Sequence, residues 1–154
     1  MTFEVTRDYA LIKSVLTIPA IYAGMHDDFS GPPETWEMER HPAVSYIAVR
    51  DGGELLGITV TAAHSMICVE AHNALLPHVG WKRRLRAAKE FWSWLAGCGC
   101  RRVIGKVPAN NRYAIAFNKA AGMKIFGINE KAFMKDGGLQ DEVWFGLSLP
   151  LGDN

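Results

Sequence analysis

"RVIGKVPANNRYAIAFNKAAGMKIFG", residues 102–127, changes its period twice within one short run. The apolar alternation of RRVIGKV predicts a strand, PANNRYAIAFNKAAG carries helical spacing, and MKIFG restarts as a strand. Asn110 or Asn111 offers a side-chain acceptor to the first free N–H groups of the helix. Gly122 suits the left-handed position just past its last turn. Strand, helix and strand are therefore joined almost without loops, which already implies a sheet with helices packed on it.

On the C-terminal side, MKIFGINEKAFMK and EVWFGLSL read as a closing hairpin around Asp136-Gly137-Gly138. On the other side, Pro77 and Gly80 open a helix, WKRRLRAAKEFWSWLAG, that Gly97 closes. Trp81, Leu85, Ala88, Trp92 and Leu95 share one stripe of it, widened by Ala87, Phe91 and Trp94, so this helix must pack on a sheet. Lys82, Arg83, Arg86 and Lys89 fall on the opposite face. Arg84 lands inside the apolar arc yet in the first turn, where backbone N–H groups are unpaired. It is either an anion ligand there or a stem that snorkels out at the helix end.

Further back, VSYIAVR, Asp51-Gly52-Gly53 and ELLGITVTAA spell a hairpin with its turn written in, and SMICVEAHNALL follows directly as a third antiparallel strand. TFEV is a short first strand; RDYALIKSVLTIPAIYAGMHDD gives two short helices broken at Pro19; FSGPPETWEMERHPA is a Pro-rich loop or partly ordered lid. The order is β, α, α, β, β, β, α, β, α, β, β, a mixed α/β arrangement without internal repeats.

The chain of 154 residues has the size of one domain, is 49% hydrophobic, and carries a net charge of +1, so net charge demands no strongly charged partner. One basic helix face without a recognised module does not argue for nucleic acid. The N-terminus lacks the apolar run of a signal peptide or membrane span, which leads to an expectation of a cytoplasmic protein. Cys68, Cys98 and Cys100 form no even framework, and Cys98-Gly-Cys100 lacks the spacing of a zinc site, so reduced thiols and no metal are expected.

This order, with these turn positions, resembles the GNAT superfamily of N-acetyltransferases over nearly the full chain, 1–154. The best-matched residues are Val107-Pro108, Asn111, Ala114-Ile115 and Gly122-Met123, with IAVRDGGELLGITV and GGLQDEVWFGLSL agreeing as the second and third strands and the closing pattern. VEAHNALLP leading into a basic helix is similar to phage-encoded members, including internal virion proteins of short-tailed phages. The resemblance implies an α/β (α+β) fold: a twisted, mostly antiparallel sheet of about seven strands with about four helices, its fourth and fifth strands splayed apart.

It further implies acetyl-coenzyme A (acetyl-CoA) in the cleft between Ile67–Leu76 and Arg102–Val107, with the backbone of Ala74, Leu75 and Leu76 on the pantetheine arm and the thioester carbonyl. The pyrophosphate would lie on Gly80, Trp81, Lys82, Arg83 and Arg84, and Asn111 would stand on the cofactor side. The family's paired loop glycines are missing there, and side chains at Arg83 and Leu85 crowd that space, although backbone N–H groups survive any residue but Pro. Glu70 and His72, on one side of the fourth strand, are the candidates for general base, against a reading as edge or surface residues; His64, His78, His41 and His26 have less to recommend them. Where many members carry a Tyr as general acid, this chain has Asn118, which donates a hydrogen bond but cannot surrender a proton. The implied activity is acetyl transfer to an amine, on a small molecule or a protein, selected by Ile18–Pro42. The missing glycines and Tyr favour the alternative of a catalytically silent scaffold of phage origin.

Overall fold

The computed structural model describes residues 1–150. Its elements are β1 (Thr2–Thr6), α1 (Tyr9–Leu16), α2 (Pro19–Met25), a 3₁₀ turn (Pro33–Thr35), β2 (Val44–Asp51), β3 (Glu54–Ala63), β4 (Cys68–Leu75), α3 (Trp81–Gly97), β5 (Arg102–Pro108), α4 (Arg112–Ala120), β6 (Lys124–Lys135) and β7 (Gly138–Ser148). All seven strands form one sheet in the order β1-β2-β3-β4-β5-β7-β6. Every pairing is antiparallel except β4 with β5. The mixed, mostly antiparallel sheet with four helices and one parallel pair at its centre is the architecture expected above.

Local chemistry explains the element ends. Asp8 caps α1 by accepting from Leu11 N, Pro19 occupies the first position of α2, and Asn111 caps α4 by accepting from Ala114 N. Two boundaries differ from the reading of the sequence. The third long strand starts at Cys68, because His64 N and Ser65 N both fold back onto Cys68 O. The long helix includes Gly97, and the left-handed residue beyond it is Gly99, with φ of +92°.

The two sheet faces pack differently. One carries α3 and α4, with Phe91, Trp92, Leu95, Val103, Phe117 and Phe145 at its centre. The other is covered over β2–β4 by α1 and α2, through Ile12, Val15, Leu16, Ile21, Tyr46 and Ile58. Trp81, placed by its spacing in the core stripe, is 40% exposed. It stands at the first position of α3, beyond the sheet's cover, and leans edge-on against Tyr113 and Phe117 of α4.

Gly57 fixes the central strands' approach. Its φ is +152°, and a Cβ there would stand 2.2 Å from Ala74 O and 2.7 Å from Leu75 Cα. Only glycine lets β3 lie this close to the end of β4. Gly57→Ala is expected to cost about 1–3 kcal/mol through overpacking against rigid backbone. Urea unfolding checks this, and a variant as stable as the parent would show that the β4 end yields freely.

Candidate active site

The site begins where β4 and β5 part. They pair at Cys68–Arg102, Val69–Val103 and Glu70–Ile104 only, although β4 runs on to Leu75 and β5 to Pro108. The cause lies on their outer sides. β4 stays in register with β3 through Leu75–Gly57, and β5 with β7 through Pro108–Glu142, so each strand follows its own twisted neighbour. The β4 edge facing β5 is thus free of strand partners over Ala71–Leu75, the stretch that includes Ala74 and Leu75. Leu76 N, by contrast, donates to Leu56 O.

At the last paired position stands Glu70, and its carboxylate gathers three basic side chains. Oε1 lies 2.7 Å from His72 Nε2, while Oε2 lies 2.9 Å from His64 Nε2 and 2.8 Å from Lys106 Nζ. Residues two apart on a strand share a face, which brings Glu70 to His72 on β4; Lys106 arrives from β5 and His64 from the turn between β3 and β4. Burial alone would raise the Glu70 carboxyl, yet hydrogen bonds from His72 and Lys106, with His64 behind them, hold it down to about 2. Glu70 is therefore an anion that orients its neighbours. Trp144 of β7 flanks the cluster, its ring 5.0 Å from Lys106 Nζ and its Nε1–H donating to Glu142.

Asn118 sits on the other face of the sheet, in the last turn of α4. A Cβ on Gly105 would stand 3.7 Å from Asn118 Nδ2, Ala71 O and the Met123 methyl, so the Asn118 amide and the first unpaired residue of β4 both border Gly105. Its side chain makes no hydrogen bond among the described residues. Asn111, at the start of the same helix, uses its Oδ1 in the cap.

The proposed phosphate loop is built differently from a glycine-rich one. Arg83 is held by Asp51 at 3.0 Å and Glu54 at 2.8 Å, and these bonds raise the Arg83 guanidinium and lower both carboxyls. Arg86 joins the same Asp51 at 2.6 Å. Arg84 does not turn outward: Nε donates to Val79 O at 2.6 Å, and Nη2 donates to Leu76 O at 2.8 Å and Pro77 O at 3.2 Å. Its Nη1 reaches Tyr113 Oη at 3.3 Å. Lys82 is exposed with no ion-pair partner among the described residues. The N–H groups of Trp81 and Lys82 are likewise unpaired there, as the first turn of a helix requires.

A strap borders the face bearing Glu70. Asp28, in the loop after α2, accepts from Asp136 N and Gly137 N at the β6–β7 turn, Asp28 N donates to Met134 O, and Lys135 Nζ donates to His26 O. Among the described residues no group of His, Cys, Asp and Glu is arranged to hold a metal, and no helix is long and apolar enough to cross a membrane.

The structure thus brings Glu70 and His72 together and adds His64, which the sequence ranks below them, and Lys106, which is not among the candidates above. Lys106 did leave a signal, a charge inside an apolar central strand, between Gly105 and Val107 and on the same side as Ile104. His64 left none, since its position depends on how the β3–β4 turn folds back.

Seven strands in this order, four helices and a central parallel pair that splays constitute the fold of the GNAT superfamily of N-acetyltransferases. Solved structures share it over nearly their whole length. Spermidine N-acetyltransferase from Vibrio cholerae, solved with CoA and spermine, superposes with a TM-score of 0.77 at 14% identity over 96% of this chain and 95% of that one. The ribosomal-protein-S18-alanine N-acetyltransferase from Escherichia coli gives 0.73 at 14% identity over 99% and 96%. A putative acetyltransferase from Salmonella typhimurium, solved with its cofactor acetyl-CoA, gives 0.71 at 15% identity over 100% and 95%. At such identities the likeness is one of fold. No protein-family model matches the sequence, and no curated protein matches it.

Proposed function

We propose that this chain is an N-acetyltransferase, moving an acetyl group from acetyl-CoA to an amine. The observation that carries the reading is the Glu70–His72 pair, set at the last bonded position of β4 immediately before its edge falls free of β5. The acceptor is a primary amine of a small molecule or a protein, entering on the face that carries this pair.

The residues present fit the cofactor. Apart from its own chain neighbours, no residue comes within 4 Å of where a Cβ on Gly80 would stand, so there is open space beside Gly80, next to the unpaired N–H groups of Trp81 and Lys82. They would hold the pyrophosphate, helped by the positive end of the helix. The free edge of Ala74 and Leu75 would hold the pantetheine arm. When bound, acetyl-CoA supplies the thioester whose C–S bond breaks as the C–N bond forms.

With its carboxyl held near 2, Glu70 is too weak a base to take the amine's proton at neutral pH. That role falls to His72. When His72 Nε2–H donates to Glu70, Nδ1 carries the free lone pair, and Glu70 stabilises the imidazolium formed as the proton arrives. Asn118, from the opposite face, would donate N–H to the departing thiolate, which then takes its proton from water.

The alternative of a silent scaffold draws on the missing loop glycines and Tyr and, in the structure, on Trp81, which packs edge-on against Tyr113 and Phe117 and so bridges α3 to α4. None of the three solved relatives named above is a phage protein. Calorimetric titration separates the two readings. Acetyl-CoA is expected to bind with measurable heat and to raise the melting temperature, whereas silence in both at millimolar ligand would leave the scaffold.

A further inference from the structure

We infer that Arg84 is a positioning residue that takes the place of the missing loop glycines: from inside the β4–α3 loop it pulls carbonyl groups inward and so turns their N–H groups outward toward the pyrophosphate. This inference rests on the cofactor reading above.

The geometry follows from the peptide unit. Each peptide is planar and trans, so a carbonyl and the N–H of the next residue point in opposite directions. Arg84 binds Pro77 O and Val79 O, which directs His78 N–H and Gly80 N–H away from the guanidinium. Neither N–H has a partner among the described residues, whereas Val79 N–H, whose preceding carbonyl Arg84 does not touch, turns back onto Leu76 O. The outward pair is continuous with the free N–H groups of Trp81 and Lys82. A run of N–H groups left free in this way, from Gly80 to Lys82 with His78 before it, is available to an anion.

A glycine-rich loop reaches that shape through backbone freedom. Here Gly80 has φ of −66° and ψ of 154°, open to any residue, so the shape has another source. One planar guanidinium bonded to three carbonyls supplies it, and its fourth bond, to Tyr113, ties the loop to α4. This explains why a charged residue occupies the apolar arc of α3 in its first turn. The guanidinium faces the loop's carbonyls and is committed to them, so its contribution to an anion is through the N–H groups it aims.

The test uses Arg84→Met and Arg84→Lys, with binding of coenzyme A and of inorganic pyrophosphate measured by calorimetry and amide hydrogen exchange followed across residues 77–82. In Arg84→Met, coenzyme A should bind at least about tenfold more weakly, the scale of one or two misaligned N–H donors to a charged group. Exchange within the loop should change while that of β4 and the body of α3 does not. Arg84→Lys, a point charge without the planar fork, should fail to restore affinity, whereas millimolar guanidinium added to an Arg84→Ala variant should restore part of it. Parental affinity in Arg84→Met, or full rescue by Lys, would overturn the inference while leaving the cofactor reading intact. Failure of the parent protein to bind either ligand would remove both.

Discussion

Glu70→Gln is expected to remove Glu70's own share of this protein's acid-sensitive stability and to lower acetyl transfer by about 10²–10³-fold. The stability effect follows from the carboxyl. Its native value of about 2 lies below the ordinary 4.5, so the folded state favours the ionised form. The stabilisation is complete above about pH 4.5 and is withdrawn as pH falls toward 2, and the gap corresponds to roughly 3 kcal/mol. In Gln there is no such carboxylate, and Lys106, three-quarters buried, loses its counterion. Urea unfolding should show the parent more stable by roughly 3 kcal/mol at pH 7, with the difference reduced to less than half by about pH 3. An equal difference at both pH values would mean that the carboxylate is not the ion-paired group described here.

The catalytic effect has a separate signature. Gln cannot stabilise a protonated His72, so Glu70→Gln should reduce kcat and leave the affinity for acetyl-CoA unchanged, since the cluster lies on the sheet face proposed for the amine. His72→Gln should give a similar loss, and the double variant little more than either, because the two residues act as a unit. Additive losses would show that they serve different steps.

How far these features were legible depended on the distance over which each is determined. The order of elements could be read because period, caps and turns are local: Asp51-Gly52-Gly53 and Asp136-Gly137-Gly138 both form the hairpin turns they spell, and Asn111 caps α4. The pairing of Glu70 with His72 follows from strand periodicity alone. Arg83 and Arg84 were legible as basic residues near a helix start but not as residues already engaged, because the partners of Arg83 lie on the β2–β3 turn, and those of Arg84 depend on a loop conformation that spacing does not encode. Trp81 illustrates the same limit. Helical phase assigned it to the core, while its position at the very start of α3 carried it past the sheet and onto α4. Sequence phase predicts which way a side chain points, and tertiary packing decides what is there to meet it.

Asn118→Tyr is expected to raise kcat about 10²-fold, the lower end of what a positioned general acid contributes. An amide donates a hydrogen bond but has no proton to give at neutral pH, so in the proposed reaction the thiolate would be released to water. A phenol can deliver that proton. The position allows it: Asn118 Nδ2 and Ala71 O both approach Gly105 of β5, and the Asn118 side chain makes no competing hydrogen bond among the described residues. The larger ring must share the space with Met123, which is 4% exposed, so a stability loss of about 1–3 kcal/mol should accompany the gain. Asn118→Phe supplies the control, with the same bulk and no proton. If Phe gains as much as Tyr, packing rather than acid catalysis raised the rate. If neither variant nor the parent transfers acetyl to any of a panel of primary amines, although all bind acetyl-CoA, then thiolate release is not the limiting step and the amine has yet to be supplied. If none binds acetyl-CoA either, Asn118 marks a scaffold without the cofactor's chemistry.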